Sequence, residues 1–356
     1  METPLLQTKL YIPPVRSQLV SRPRLIERLN EGPRSGRKLT LISAPAGFGK
    51  TTLISDWLNQ RAEGGGLKDE SGKTIQPSSF SLHPSRVAWV SLDEDDNDPT
   101  RFWAYVIAAF QTIQAGIGET ADIASESSHP PPADPALTDL LNQVAQVPDP
   151  VVLVLDDYHV IEAEQVHAGL SYLLEHQPPN LHLVLLTRVD PSISLARLRA
   201  HDRLVEIRAR DLQFSYDEAA ILFNDVVNLN LKPEQVESLN RRAEGWIVGL
   251  NLAALSLKGQ PASERIIERF TGSHQFILDY LTEEVLDTLP ENQRDLPREC
   301  GRPYANKRFF LRHSAPAAAH PAGTVQRHKA AATGFPSASF VQLLFCALST
   351  ADVTTV

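Results

Sequence analysis

The sequence is poor in cysteine and has no long apolar run. The first observation argues against a disulfide-stabilised protein, and the second against a membrane-spanning one. Only two cysteines, Cys300 and Cys346, occur among the 356 residues, both near the carboxyl end. So few thiols argue against a disulfide-stabilised secreted fold and fit a reducing compartment. The amino-terminal METPLLQTKLYIPPV has no apolar signal-peptide core, and no segment approaches membrane-spanning length. We therefore expect a cytoplasmic protein.

An excess of basic charge is also missing. The formal net charge is −9 at pH 7, which argues against a permanent nucleic-acid-binding surface on this polypeptide. The length allows two domains, each with its own hydrophobic core.

The most informative stretch is residues 38–58, KLTLISAPAGFGKTTLISDWL. An apolar, β-branched run leads into a loop of small residues, and an apolar helical pattern follows from Lys50 onward. Ala46, Gly47 and Gly49 let the loop backbone come close enough to a polyphosphate for several N–H groups to meet it at once. Lys50 is then placed to reach the β and γ phosphates, and the Thr51 hydroxyl to ligate Mg²⁺.

The phosphate-loop pattern G-x-x-x-x-G-K-[ST] is missed only at its first position, where Ala44 replaces glycine. This replacement asks only that the residue keep a negative φ. A glycine-containing turn with a chance lysine is the alternative, but the flanking strand and helix are the context that the motif requires. The sequence therefore predicts nucleotide binding. The predicted contacts are Ala46, Gly47, Phe48, Gly49, Lys50, Thr51 and Thr52.

Residues 151–159, VVLVLDDYH, form a second chemical constellation. Five apolar residues suit a strand buried on both faces, and the strand ends in two carboxylates. Downstream of a phosphate loop, this arrangement predicts that Asp156 holds the Mg²⁺ shell and that Asp157 polarises the attacking water. His159 is interpreted as a turn residue without a role.

Arg188 directly follows another apolar run, LHLVLLT. An arginine at the carboxyl edge of a parallel sheet faces the ligand crevice, where its planar guanidinium can bind a γ-phosphate and report its loss. The alternative is a surface arginine at a strand end. We favour the phosphate sensor, because the preceding strands converge on a phosphate site.

Alternating apolar segments predict an α/β fold, a doubly wound, five-stranded parallel sheet with right-handed crossovers. The predicted strands are 39–43, 86–92, 151–155, 181–187 and 204–207; the predicted helices are 19–30, 102–113, 136–147 and 162–176. The pattern then becomes entirely helical. A capping box at Ser215 and Glu218 opens this part, and further helices are predicted from Pro233 to Gly245, at 246–257 and at 275–288.

Two further features have more than one interpretation, and two long segments have one. The acidic cluster at residues 93–98 is a possible metal site, but Asp98 before Pro99 is better explained as a helix N-cap. Arg22 and Arg24 either contact the nucleotide or form a solvated basic helix start. Residues 63–85 and 125–135, rich in glycine, serine or proline, are predicted to be exposed loops.

Six ordered motifs together resemble the amino-terminal ATPase of MalT-like, ATP-dependent LuxR-family transcriptional regulators, which belong to the STAND class of P-loop ATPases. The similarity runs from about residue 8 to residue 292. The motifs are APAGFGKTT, WVSLDEDDNDPTRFWAYVIAA, VLVLDDYHVI, LVLLTRVDP, LARLRAHDRLVEIRARDLQFSYDEA and EGWIVGLNLAALSL.

The resemblance implies an AAA-like nucleotide-binding core, a helical subdomain and ATP/ADP exchange as a switch. It assigns Lys50 and Thr51 to phosphate and Mg²⁺, Asp156 and Asp157 to metal and water, and Arg188 to sensing the γ-phosphate. The catalytic set is therefore Asp157, Lys50 and Arg188. One departure is Gly249-Leu250-Asn251, where the wider class often has Gly-Leu-Pro.

This resemblance divides the chain into four parts. Residues 1–36 are expected to cover the nucleotide site, 37–210 to form the P-loop core, 211–292 a helical subdomain, and 293–356 an aberrant tail. Regulators of this kind continue into a winged helix, a helical-repeat sensor and a helix-turn-helix. The full-length proteins of the family bind an inducer and promoter DNA and associate with one another. We expect this chain to end before them and not to bind DNA or a membrane by itself.

The resemblance implies a weak regulatory ATPase that converts ATP and water to ADP and phosphate, because a switch needs a long-lived ATP state. Two other functions stay open. A free-standing P-loop kinase or motor would turn over fast with a second substrate. A nucleotide-binding interaction module would bind ATP and release no phosphate.

The tail, residues 296–356, loses helical periodicity and carries seven basic and two acidic residues. A basic DNA-binding arm lacks a recognition helix, and a zinc site of Cys300, His313, His320 and His328 lacks paired-ligand spacing. We favour an unfolded, out-of-frame extension of a truncated regulator.

Overall fold

The computed structural model describes residues 4–15, 18–62, 86–119 and 135–258. Its centre is a five-stranded sheet in the order β2-β3-β4-β1-β5, and every pair of neighbouring strands is parallel. The α/β fold expected from the sequence is confirmed. The strands are β1 Leu39–Ser43, β2 Val87–Ser91, β3 Val151–Asp156, β4 Leu181–Thr187 and β5 Leu204–Arg208.

Helices cover both faces of the sheet. The strands β1, β3 and β4 are buried along their whole length, as expected of parallel strands between two helical layers. Consecutive strand residues, such as Leu41 and Ile42, belong to two different hydrophobic clusters, because successive side chains point to opposite faces of the sheet. The described helices are α1 Pro23–Arg34, α2 Lys50–Ala62, α3 Pro99–Gln111, α4 Pro135–Ala145, α5 Glu164–His176, α6 Leu195–Ala200, α7 Ala209–Leu212, α8 Tyr216–Ala220, α9 Pro233–Ala243 and α10 Ile247–Leu257.

Helix α1 is displaced from its predicted position at residues 19–30. It begins at Pro23, whose fixed φ suits a first helical position, and it continues through Gly32 and Pro33. Gly32 is there for packing: a Cβ at this position would lie only 3.1 Å from side-chain atoms of His182 and Val205. The glycine therefore lets the helix end approach the sheet.

The helical part after β5 packs on the same hydrophobic cluster as α1 and α2. The predicted capping box at its start is confirmed, because the Ser215 hydroxyl accepts a bond from the Glu218 N–H and the Glu218 carboxylate accepts one from the Ser215 N–H. A π-helical turn, Ile221–Val226, follows α8. Helix α9 ends at Ala243, and Glu244 and Gly245 adopt left-handed conformations before α10.

The acidic cluster has a structural explanation. Asp98 accepts a bond from the Arg101 N–H and is the N-cap of α3, as predicted. Asp96 is fully buried and bonds the Lys9 ammonium at 2.6 Å, which fastens the amino-terminal segment to the sheet core. Among the described residues, no group of three or more acidic, histidine or cysteine side chains has the arrangement of a metal site.

Several sequence predictions lie outside the described residues. They are the loop at 63–85, nearly all of the loop at 125–135, the helix at 275–288 and the tail at 293–356. Within the ranges that the structure does describe, none of the helices has the length and apolarity needed to span a membrane.

Candidate nucleotide-binding site

The carboxyl ends of β1 and β3 bring the two predicted constellations together. The Thr51 hydroxyl at the start of α2 donates to the Asp156 carboxylate, with oxygen–oxygen distances of 3.0 and 3.1 Å. These strands are not neighbours, since β4 lies between them. The contact therefore joins residues 105 positions apart across the top of the sheet.

Lys50 is buried inside the phosphate loop. Its ammonium donates to the carbonyl oxygens of Ala44 and Pro45 at 2.8 and 3.2 Å. Burial lowers the pKa of Lys50 to about 8, and the positive charge of Arg188 contributes while the nearby carboxylates oppose the shift. A buried, desolvated cation whose hydrogen bonds go to carbonyl oxygens is stabilised further by an anion brought beside it.

Asp156 and Asp157 have different surroundings. Asp156 is buried, and burial together with the adjacent Asp157 carboxylate raises the pKa of Asp156 to about 7. A nearby cation would favour its ionised form. Asp157 has a left-handed backbone with a φ of 56°, and its side chain is 47% exposed. One carboxylate thus lies within the site and the other at its mouth.

His159 lies beside this mouth, although its sequence position suggested only a turn. Its Nδ1 is 3.7 Å from the nearer Asp157 oxygen, and the side chain is 16% exposed. Burial lowers the pKa of His159 to about 3, with smaller contributions from Arg188 and Lys50. The imidazole is therefore neutral at physiological pH. The sequence signal for this position was only its spacing of two residues from Asp157.

Arg188 immediately follows β4, the strand between the phosphate loop and the paired carboxylates. It lies near enough to Lys50 and His159 for its charge to lower the pKa of each. The structure therefore brings Lys50, Thr51, Asp156, Asp157 and Arg188 to one edge of the sheet, as their sequence positions predicted.

The phosphate loop has the backbone conformation that its glycines allow. Gly47 and Gly49 have φ values of 77° and 75°, in the left-handed region that favours glycine. The side chain of Phe48 between them is buried in the hydrophobic core, whereas Thr52 is half-buried at the start of α2. Phe48 therefore contributes only backbone groups to the loop surface.

Trp246 is a further residue of this region that the sequence did not identify. Its indole N–H donates to the Ala46 carbonyl at 3.2 Å, although the two residues are 200 positions apart. The neighbouring Val248 N–H points to the Gly47 carbonyl at 3.4 Å. The start of α10 thus lies against the outer side of the phosphate loop.

Arg22 and Arg24 both form hydrogen bonds with the helical part of the chain that follows β5. Both guanidinium groups donate to the Glu218 carboxylate and to the Gln213 carbonyl. Arg22 is 5% exposed and stacks on the Phe214 ring, so it is not the solvated helix start considered from the sequence.

The donor set suits a Mg²⁺–nucleotide. Glycines at left-handed positions open the loop backbone, and a buried ammonium lies within it. A hydroxyl and a carboxylate at 3.0 Å from each other provide the hard oxygen ligands that Mg²⁺ prefers. Thr51 and Asp156 are the residues that would hold the metal.

Comparison with known proteins gives a consistent result. Residues 9–161 match the AAA domain family. The chain is 33% identical over 294 residues to the HTH-type transcriptional regulator MalT of Cronobacter sakazakii, and 32% identical over 299 residues to that of Yersinia pestis. These alignments cover 82% and 83% of this chain but 30% of each regulator.

Two solved structures are also similar. One is a signal transduction ATPase with numerous domains and a tetratricopeptide repeat sensor from Pyrococcus horikoshii, with a TM-score of 0.45, 15% identity, and coverage of 82% of this chain and 35% of that one. The other is a Walker-type ATPase of Pyrococcus abyssi, with a TM-score of 0.42, 16% identity, and coverage of 80% and 79%.

The chain spans about a third of the length of the MalT regulators that it matches. The AAA domain and the sequence similarity together indicate a nucleotide-binding chain. The comparisons thus confirm the resemblance that the six motifs indicated, and the chain is MalT-like in the ATPase portion of that regulator family.

Proposed function

We propose that this chain binds ATP or ADP with Mg²⁺ at the phosphate loop and acts as the ATP-gated switch of a MalT-like regulator. The observation that carries the proposal is the bond between Thr51 and Asp156, because it unites the phosphate loop with a buried carboxylate. Neither motif is diagnostic by itself, but their contact is the arrangement that phosphoryl-transfer sites use.

Each side chain has a separate task in this proposal. Lys50 binds the β and γ phosphates, since an ammonium has three N–H donors and two of them meet loop carbonyls. Thr51 and Asp156 would hold Mg²⁺, and the ion would supply positive charge that neutralises the nucleotide's phosphates. Arg188 contacts the γ-phosphate and distinguishes ATP from ADP.

Asp157 orients the attacking water and accepts its proton. Its partial exposure keeps this carboxylate accessible to water, while His159 lies behind it as a neutral imidazole. General-base assistance of this kind contributes roughly 10²–10⁴-fold to a rate. We expect slow hydrolysis nevertheless, because a switch depends on the lifetime of its ATP state.

A single-turnover experiment tests the function. The purified chain is loaded with ATP and Mg²⁺, unbound nucleotide is removed, and bound nucleotide and released phosphate are followed with time. The proposal predicts tight binding and phosphate release over minutes or longer. Rapid, second-substrate-dependent turnover would instead indicate a kinase or motor, and binding without any release would indicate an interaction module.

The proposal extends to the cellular context of the regulators that this chain resembles. We infer a cytoplasmic location. In a longer regulator of this type, the ATP state would control self-association, inducer response and promoter binding through other domains. The chain itself is proposed to bind nucleotide but not DNA, consistent with its net charge of −9.

A further inference from the structure

The start of α10 contacts the phosphate loop on the side of its carbonyl groups. The Trp246 indole N–H donates to the Ala46 carbonyl at 3.2 Å, and the Val248 N–H donates to the Gly47 carbonyl at 3.4 Å. Trp246 is only 1% exposed. Two successive peptide groups of the loop are therefore held from the helical part of the chain.

These bonds determine the direction of the next two N–H groups. In a trans peptide unit the carbonyl and the N–H point in opposite directions within one plane. A donor that holds the Ala46 carbonyl therefore turns the Gly47 N–H away from α10, and a donor on the Gly47 carbonyl does the same for the Phe48 N–H. Gly47 and Phe48 are among the loop residues that the sequence predicts to contact the nucleotide, and backbone N–H groups of such a loop are what would meet its phosphates.

The fit between loop and helix leaves little free space. A Cβ on Gly47 would lie 2.8 Å from the Trp246 indole nitrogen and 2.9 Å from a Val248 methyl group. A Cβ on Gly49 would lie 2.9 Å from the terminal methyl of Ile247. The two glycines are thus needed for their left-handed backbone and also for the close approach of α10.

We propose that Trp246 is a positioning residue for the nucleotide site, which holds the phosphate loop in its phosphate-accepting conformation from the carbonyl side. The inference rests on the proposed function, since it concerns the same nucleotide site. If Trp246 holds the loop, nucleotide affinity depends on the packing of α10 against it, because a loop that must order its peptide groups on binding gives weaker binding.

The test compares Trp246→Phe with Trp89→Phe. Each substitution removes one buried indole donor and keeps an aromatic ring, because Trp89 is also 1% exposed and donates to the Ser91 hydroxyl at 2.9 Å. Trp89 lies on the edge strand β2, which β3 and β4 separate from the phosphate-loop strand β1. The pair therefore separates loss of the loop contact from loss of a buried indole bond.

Two measurements are made on the folded proteins. The first is equilibrium titration with a fluorescent ATP analogue and Mg²⁺. We expect Trp246→Phe to weaken binding roughly three- to tenfold, the effect of one neutral hydrogen bond, and Trp89→Phe to leave it unchanged. The second is amide hydrogen exchange of residues 46–50 without nucleotide, where Trp246→Phe should exchange faster than both the parent and Trp89→Phe.

Equal affinity and equal loop exchange in Trp246→Phe and the parent would overturn the inference. If the parent itself does not bind ATP, the proposed function fails, and the nucleotide-free exchange measurement still decides whether Trp246 holds the loop. If Trp246→Phe does not fold, Val248→Pro removes the second donor instead. Proline is tolerated in the first turn of a helix, and the same loop-specific exchange is expected.

Discussion

At the residue scale, the two carboxylates at the end of β3 are separated by a change of backbone conformation. Asp156 ends the strand and is buried, whereas Asp157 turns into the left-handed region and presents its side chain at the surface. A non-glycine residue in this conformation is uncommon and often marks a functional position. The turn therefore places two adjacent carboxylates in different environments.

Substitution of Asp157 by asparagine should separate binding from hydrolysis. The amide keeps the size of the side chain but cannot accept a proton, so ATP affinity should stay within about twofold while single-turnover phosphate release slows roughly 100-fold. Asp217→Asn, at an exposed position on α8, is the matched control. Equal phosphate release in Asp157→Asn and the parent would remove Asp157 from the mechanism.

Arg188 should determine the preference for ATP over ADP. Its guanidinium is proposed to meet the phosphate that only ATP carries, so Arg188→Ala should reduce the ratio of the two affinities roughly tenfold, the effect of one charged hydrogen bond. Competitive titrations with ATP and ADP measure this ratio. The exposed Arg197→Ala provides the control, and an unchanged ratio in Arg188→Ala would contradict the sensor assignment.

His182 gives the fold a dependence on acid. It is completely buried on β4, its Nδ1 lies 2.8 Å from the Arg37 carbonyl, and its Nε2 lies 2.8 Å from the Thr40 hydroxyl. A carbonyl only accepts, so Nδ1 carries the proton and Nε2 accepts from Thr40. Burial lowers the pKa of His182 to about 4.

The sign of this effect follows from proton binding. Between pH 6.5 and about 4 the unfolded chain protonates His182 and the folded chain does not, so stability falls as the pH falls through this window. We expect the free energy of unfolding of the parent to fall by roughly 2–3 kcal/mol more than that of His182→Gln. Denaturant unfolding at several pH values measures the difference.

At the element scale, the joint between α1 and α8 is an ionic cluster of one acid and two arginines. Glu218 accepts bonds from Arg22 and Arg24 and also completes the capping box of α8. Burial alone would raise the pKa of Glu218, but the hydrogen bonds from the two arginines hold it below its ordinary value. The cluster therefore joins the amino-terminal helix to the helical part of the chain.

Glu218→Gln tests this joint. The amide still accepts a bond from the Ser215 N–H, but the buried Arg22 loses its counter-charge, so the free energy of unfolding should fall by about 2–3 kcal/mol. Glu27→Gln, at an exposed position on α1, should change it by less than about 0.5 kcal/mol. Equal stability of the two variants would show that the cluster contributes nothing to the joint.

The strands were predictable from the sequence because burial on both faces leaves continuous apolar runs, as in Leu181–Thr187. The limits of α1 were not, since Gly32 and Pro33 resemble a helix end in sequence and are retained for contact with the sheet. A close approach between a helix and a strand leaves no periodic signal. It becomes visible only when the partner atoms are placed.

At the scale of the whole molecule, part of the candidate site could be predicted from the sequence and part could not. The phosphate loop, the paired aspartates and Arg188 were predictable because parallel strands end at one edge and place their following residues together. His159 and Trp246 were not predicted as site neighbours. The Trp246 contact to Ala46 joins residues 200 positions apart, and nothing in either local sequence indicates the other.

Equilibrium ATP titration of Lys50→Ala is the most direct test of nucleotide binding at this loop. The matched control is Lys38→Ala, because Lys38 precedes β1 and bonds the Leu174 and Glu175 carbonyls at the opposite end of the strand from Lys50. Thermal unfolding without nucleotide monitors the fold. Lys50→Ala should still unfold in one cooperative transition, because the lost ammonium bonds loop carbonyls and the side chain is not part of the hydrophobic core.

We expect Lys50→Ala to weaken ATP binding at least about 100-fold, since a charged contact to phosphate is lost, while Lys38→Ala binds ATP as tightly as the parent. Unchanged ATP affinity in a folded Lys50→Ala protein would contradict the assignment of this loop as the nucleotide site.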